Sequence, residues 1–260
     1  MGPLCLLISF FLFHPLTSLA AQPEEVTFPS EKLTLHGFLY KPEGEGAFPA
    51  ILYNHGSERE PGSKPRIGVF FAAQGYVLFV PHRRGHGRSP SDSLVDSLYQ
   101  DGARGVVALH ELHLRDTTAA LAYLRSAPFV DSNRTAVAGC SYGGIQTLLA
   151  AEKGRGLRGA VAFAPAAQSW AHSSSLRNRL VQAVKGTTMP ILFIQAENDY
   201  DLTPTAVLAK EMESLAKPYK RVIFPRYGNT REEGHGGFCF RATDIWGAEA
   251  LSFLSASMPR

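Results

Sequence analysis

Short unbroken apolar runs recur along the chain, at Ala50–Tyr53, Tyr76–Val80, Thr135–Ala138, Ala160–Phe163, Ile191–Ile194 and Arg221–Phe224. Runs of this length between turn residues are what strands buried on both faces require, since neither face is given to water. Between them lie stretches of helical periodicity, among them Val106–Arg125, Thr205–Lys217 and Ala242–Ser255. Val26–Tyr40 differs: it alternates apolar with polar and carries Pro29-Ser30-Glu31 as a turn, which predicts an antiparallel hairpin at a sheet edge. Strands alternating with helices specify an α/β domain, with a mostly parallel central sheet of about eight strands and helices on both faces. In such a sheet the functional residues gather beyond the carboxyl ends of the strands. No internal repeat, low-complexity tract or linker divides the 260 residues, which suit one domain.

The first twenty residues form a separate object. Leu4–Phe13 is almost wholly apolar, and small residues follow at Ser18 and Ala20. The run is too short to span a bilayer and apolar on every side, unlike a helix packed on a domain. Although Lys and Arg are missing ahead of it, it fits a secretory signal cut after Ala20. Residues 1–20 are therefore expected to be a leader and residues 21–260 the domain, secreted or periplasmic, with no stable membrane anchor after cleavage. A formal net charge of +3 without a run of like charges offers no footprint for nucleic acid. With Cys5 removed, Cys140 and Cys239 form neither a disulfide framework nor a zinc spacing. They are expected as two buried thiols acting as small hydrophobes, a single bridge being the alternative.

Gly139-Cys140-Ser141-Tyr142-Gly143-Gly144 follows the Thr135–Ala138 run and opens the helix-like stretch Ile145–Ala151. A serine in G-x-S-x-G at a strand-to-helix junction sits in a turn so tight that its backbone is strained and its neighbours have no room for a Cβ. The helix aims its N–H groups and positive dipole end at the same point. A serine hydroxyl is a poor nucleophile and needs a base within reach. After the Ile191–Ile194 run comes Gln195-Ala196-Glu197-Asn198-Asp199-Tyr200-Asp201, and after the last apolar run comes Glu232-Glu233-Gly234-His235-Gly236-Gly237. Asp199 and His235 are the natural partners in that order. Glu197 and Asp201 share the turn with Asp199. His172, the other histidine beyond the serine, lies in no such loop.

The serine elbow, the Asp199 turn and the Gly234-His235-Gly236 loop together resemble the α/β-hydrolase superfamily, nearest to dienelactone-hydrolase-like enzymes and to the catalytic domains of prolyl-oligopeptidase-type peptidases. The likeness runs from the first hairpin to the C-terminus and implies the α/β-hydrolase fold with at most a short cap. It implies Ser141 as nucleophile, His235 as base and then acid, and Asp199 as the group that fixes the histidine tautomer. It further implies an oxyanion hole made by the backbone N–H groups of Ser57, in the turn Asn54-His55-Gly56-Ser57, and of Tyr142. Dienelactone hydrolases carry Cys at the nucleophile position, where this chain has Ser141, which speaks against dienelactone as substrate. The Ser-Tyr-Gly-Gly string fits the peptidase branch better, yet the 260 residues hold no stretch for the propeller that restricts access there.

Pro81-His82-Arg83-Arg84-Gly85-His86-Gly87-Arg88-Ser89 resembles the R-G-x-G-x-S loop of many members. It offers Arg83 or Arg84 either to a substrate carboxylate or to a buried structural role. Residues 166–188 break the strand–helix rhythm where relatives insert a cap, so Trp170 and Leu176 are candidates to line an acyl pocket, against an ordinary surface helix. His110-Glu111-Leu112-His113 lacks the i, i+4 spacing of a zinc helix and is expected as a partly exposed face.

The expected protein is a serine hydrolase that needs no metal and no cofactor and cleaves small or medium esters through an acyl-enzyme. Its partner would be a small-molecule ester or a short peptide. The alternatives are a serine peptidase or amidase of prolyl-oligopeptidase type and, in another class, a non-catalytic binding module that keeps the fold.

Overall fold

The computed structural model describes residues 22–102 and 104–259; the expected leader, residues 1–20, lies outside them. The chain opens with β1 (Glu24–Ser30) and β2 (Leu33–Tyr40), an antiparallel hairpin in which Ser30 pairs with Leu33. Strand and helix then alternate: β3 (Phe48–Asn54), α1 (Pro65–Ala73), β4 (Val77–Pro81), α2 (Ser93–Gln100), α3 (Val106–Ser126), β5 (Val130–Cys140), α4 (Tyr142–Lys153) and β6 (Leu157–Phe163). The second half adds α5 (Ser174–Gly186), β7 (Ile191–Ala196), α6 (Thr203–Ser214), β8 (Tyr219–Phe224), α7 (Phe238–Arg241) and α8 (Thr243–Ser257). Among the described residues no helix is long and apolar enough to cross a membrane.

The eight strands form one sheet in the order β1-β2-β4-β3-β5-β6-β7-β8, parallel from β4 to β8 with the hairpin antiparallel at one edge. Successive side chains of the central strands serve opposite layers. Ala50 and Leu52 of β3 join the core under α3, α4, α5 and α6, while Ile51 and Tyr53 join the core under α1 and α8. That two-sided burial is why β3–β7 read as unbroken apolar runs.

The topology also locates the site. From β3 the chain moves through α1 to β4 on one side; from β5 it moves through α4 to β6 on the other. The adjacent carboxyl ends of β3 and β5, where Asn54 pairs with Gly139, are thus a switch point, and a crevice opens there because the two connections leave in opposite directions.

Arg84 is a buried fastener of the edge. Its guanidinium donates to both carboxylate oxygens of buried Asp116 (2.7–3.1 Å), to Asp92 (2.9 Å) and to Glu31 (2.9 Å) in the hairpin turn. Of the two roles open to it, the structural one is what these contacts serve.

Candidate active site

Ser141 stands between β5 and α4 with φ 59° and ψ −116°, a conformation that favours glycine. Its amide donates to Phe163 O (3.0 Å) and its carbonyl accepts from Ile145 N (3.1 Å), so the strained turn is held from both sides. Gly143 shows why the motif needs its second glycine. A Cβ there would lie 2.0 Å from Asn54 O and 2.5 Å from His55 O, so the helix could not start beside β3.

His235 sits in a single wide helical turn, Glu233–Gly237. Its Nδ1–H donates to Asp199 Oδ1 at 2.8 Å, and the same oxygen accepts the Tyr200 N–H at 2.6 Å. With the proton on Nδ1, Nε2 is left as the acceptor; it is buried and makes no hydrogen bond. A free imidazole acceptor at this position can take a proton from a nucleophile or a substrate. Ser57, Ser141 and His235 line one cleft of about 390 Å³. Its wall also carries Glu232, bonded to the Tyr200 hydroxyl (2.9 Å), and the ion pair Lys64–Glu58, with the ammonium 4.2 Å from the centre of the Phe240 ring.

Two ties hold these loops together, one that sequence reasoning missed and one that it held only as the alternative. Asn198, next to Asp199, donates to Tyr227 O (3.0 Å) and Thr230 O (2.8 Å) and accepts from Tyr227 N (2.9 Å). It stitches the end of β7 to the segment leading to His235. The second tie corrects the expectation of two free thiols: Cys140 and Cys239 are joined in a disulfide. It links the residue before Ser141 to α7, directly after the His235 turn.

Other expectations change with the packing. Trp170 and Leu176 are buried in the core beneath α4 and α5, away from the cleft lining, so residues 166–188 form a short 3₁₀ turn and α5 packed on the domain. Arg83 does not face a substrate: it is 1% exposed and its guanidinium donates to His55 O (2.9 Å) and Gly56 O (2.6 Å). The His110-Glu111-Leu112-His113 segment is not a partly exposed histidine face either. Both histidines are buried behind Tyr142, His113 Nδ1 sharing a 2.7 Å hydrogen bond with the phenol and His110 stacking on its ring at 4.1 Å. Among the described residues no group of His, Cys, Asp or Glu is placed to hold a metal ion.

Burial, reinforced by the charge of Arg83, pushes His86 down to about 4 and His110 to about 3, and holds His55 and His113 well below the ordinary histidine range. Because these folded-state values lie below those of the unfolded chain, their contribution to stability is full above about pH 6.5 and is lost as the pH falls toward about 4. Urea midpoints taken at pH 7, 6 and 5 should fall steeply across that window; a flat profile would show that these imidazoles charge freely in the folded protein.

An eight-stranded sheet with a serine elbow at its switch point defines an α/β-hydrolase. The family described as "Serine aminopeptidase, S33" matches residues 47–219, and the chain belongs to that family of serine hydrolases. A curated relative, the quorum-quenching protein AidA of Acinetobacter baumannii (strain MDR-ZJ06), is 28% identical over 166 residues, covering 62% of this chain and 50% of that protein. The chain therefore spans about half the length of that relative. Among solved structures, the acylaminoacyl peptidase of Pyrococcus horikoshii superposes with a TM-score of 0.72 at 19% identity, over 93% of this chain and 42% of that one. A Pyrococcus furiosus esterase gives 0.70 at 14% identity, over 92% of both chains. At such identities the two structures attest the fold.

Proposed function

We propose that the protein cleaves small or medium carboxylic esters through an acyl-enzyme. Ser141 attacks the acyl carbonyl, His235 takes its proton through Nε2 and returns it to the leaving alcohol, and Asp199 holds the ring in the required tautomer. The Ser57 and Tyr142 amides bind the oxyanion, each donor being worth about 10²–10³ in kcat. The observation that carries this reading is the 2.8 Å His235–Asp199 bond with Nε2 left free in the cleft that Ser141 lines. The elbow resembles that of dienelactone-hydrolase-type enzymes, but serine at the nucleophile position suits ordinary esters. Secretion completes the proposal, supported by the apolar run Leu4–Phe13 and by a disulfide, a bond that persists in oxidising compartments.

A second reading, an aminopeptidase, is favoured by one observation: Glu232 on the cleft wall, which makes no ion pair among the described residues, suits an α-ammonium group. Comparing p-nitrophenyl acetate with aminoacyl-proline p-nitroanilide separates the two. The esterase reading expects the higher kcat/KM on the ester, and a much higher value on the anilide sinks it. A binding module without chemistry would leave Ser141 unlabelled by a fluorophosphonate.

A further inference from the structure

A buried cation without a carboxylate partner calls for an explanation, because burying an unpaired charge is expensive. Among the described residues Arg83 makes no ion pair, in contrast to Arg84 beside it, which meets three carboxylates. The Arg83 guanidinium instead clamps two successive backbone carbonyls, His55 O and Gly56 O, and lies 4.7 Å over the ring of Tyr142. The Gly56 carbonyl and the Ser57 N–H belong to one planar trans peptide and point in opposite directions. A cation bonded to that carbonyl fixes the plane of the peptide and polarises its N–H, strengthening it as a donor. The face of Tyr142 is held by the same guanidinium from behind. The imidazoles around it are held neutral, and His55 Nδ1 lies 3.1 Å from the guanidinium.

We propose that Arg83 is the positioning residue of the oxyanion hole, holding the Gly56–Ser57 peptide and Tyr142 so that both backbone N–H groups converge on the substrate oxygen above Ser141. The role rests on the serine-hydrolase reading and goes beyond it. Arg83 itself touches no substrate. It acts on an interaction that strengthens only in the transition state, so its loss should appear in kcat and leave KM alone.

The test measures kcat and KM on a p-nitrophenyl ester, and the Ki of a boronic acid that mimics the tetrahedral adduct, for Arg83→Met and Arg83→Lys. Rates are taken well below each variant's Tm, so that folding losses do not enter. Arg83→Met should lower kcat about 100-fold with KM within about twofold, and should weaken the boronic acid by a similar factor. Arg83→Lys should recover part of the loss, since an ammonium can bond one carbonyl but lacks the planar fork that grips two. If Arg83→Met does not fold, Arg83→Lys and Tyr142→Leu, which keeps the amide and removes the ring, carry the test with losses of about tenfold. Folded variants with wild-type kcat and Ki overturn the proposal, as does a rise in KM at unchanged kcat, which would return Arg83 to substrate binding. Failure of the underlying reading looks different: the wild type itself would not be labelled by a fluorophosphonate.

Discussion

Ser141→Ala is expected to lower kcat/KM on a p-nitrophenyl ester by about 10⁴–10⁶-fold, because the variant has no nucleophile and retains only the oxyanion amides and binding. That is about 5–8 kcal/mol of transition-state stabilisation from one hydroxyl. The fold should be unaffected, since alanine occupies the same φ 59°, ψ −116° backbone at a cost similar to serine. Ser141→Gly sharpens the contrast. Glycine relieves the strain of that conformation, so this variant should be more stable by about 1 kcal/mol, a rise of about 2–4 °C in Tm, while being equally inert. A residue kept in an unfavourable conformation at no benefit to stability is one retained for its chemistry. Residual activity above a tenth of wild type in either variant, with fluorophosphonate labelling lost, would place the reacting group elsewhere.

The strand positions, the elbow at Ser141 and the Asp199–His235 pair were legible because they rest on local rules. An unbroken apolar run such as Ile191–Ile194 has no solvated face, and a G-x-S-x-G turn needs its glycines wherever a strand and a helix meet at such close range. Chain order placed Asp199 and His235 behind strand ends, and the structure brings their side chains to 2.8 Å. What could not be read is what depends on long-range packing. Arg83 and Arg84 are neighbours of identical chemistry in a glycine-rich loop. Only the fold decides that one meets the carboxylates of Asp116, Asp92 and Glu31 while the other meets the carbonyls of His55 and Gly56. His110 and His113 read as exposed because histidines three apart usually are. They are buried because α3 passes directly behind Tyr142, a contact between residues about thirty positions apart. Trp170 likewise suggested a pocket wall, but it packs into the core, and from its segment it is Gln168 that lines the cleft.

Opening the Cys140–Cys239 bridge is expected to produce the largest loss of stability available from a single bond. The bridged residues are 99 apart in sequence. Constraining a loop of that length in the unfolded chain is worth about 4.7 kcal/mol on the entropic model, within a usual range of about 2–5 kcal/mol for native disulfides. For a domain of this size the double variant Cys140→Ala/Cys239→Ala should therefore melt about 10 °C below the wild type. The bond also does something an equally strong contact elsewhere would not. It ties the strand end before Ser141 to α7, directly after the His235 turn, and so fixes that turn relative to Ser141 by a second link besides the Asp199–His235 bond. Misplacing a base by about 1 Å costs about 100-fold in rate. Reduction should thus lower kcat at temperatures where the chain is still folded, with KM little changed, and dithiothreitol should act on the wild type but not on the double variant. Thiol titration in denaturant without reductant should find neither Cys140 nor Cys239 free. Free Cys140 and Cys239 thiols, or a double variant with wild-type kcat and Tm, would show that the Asp199–His235 bond and the Asn198 stitches suffice to hold the site.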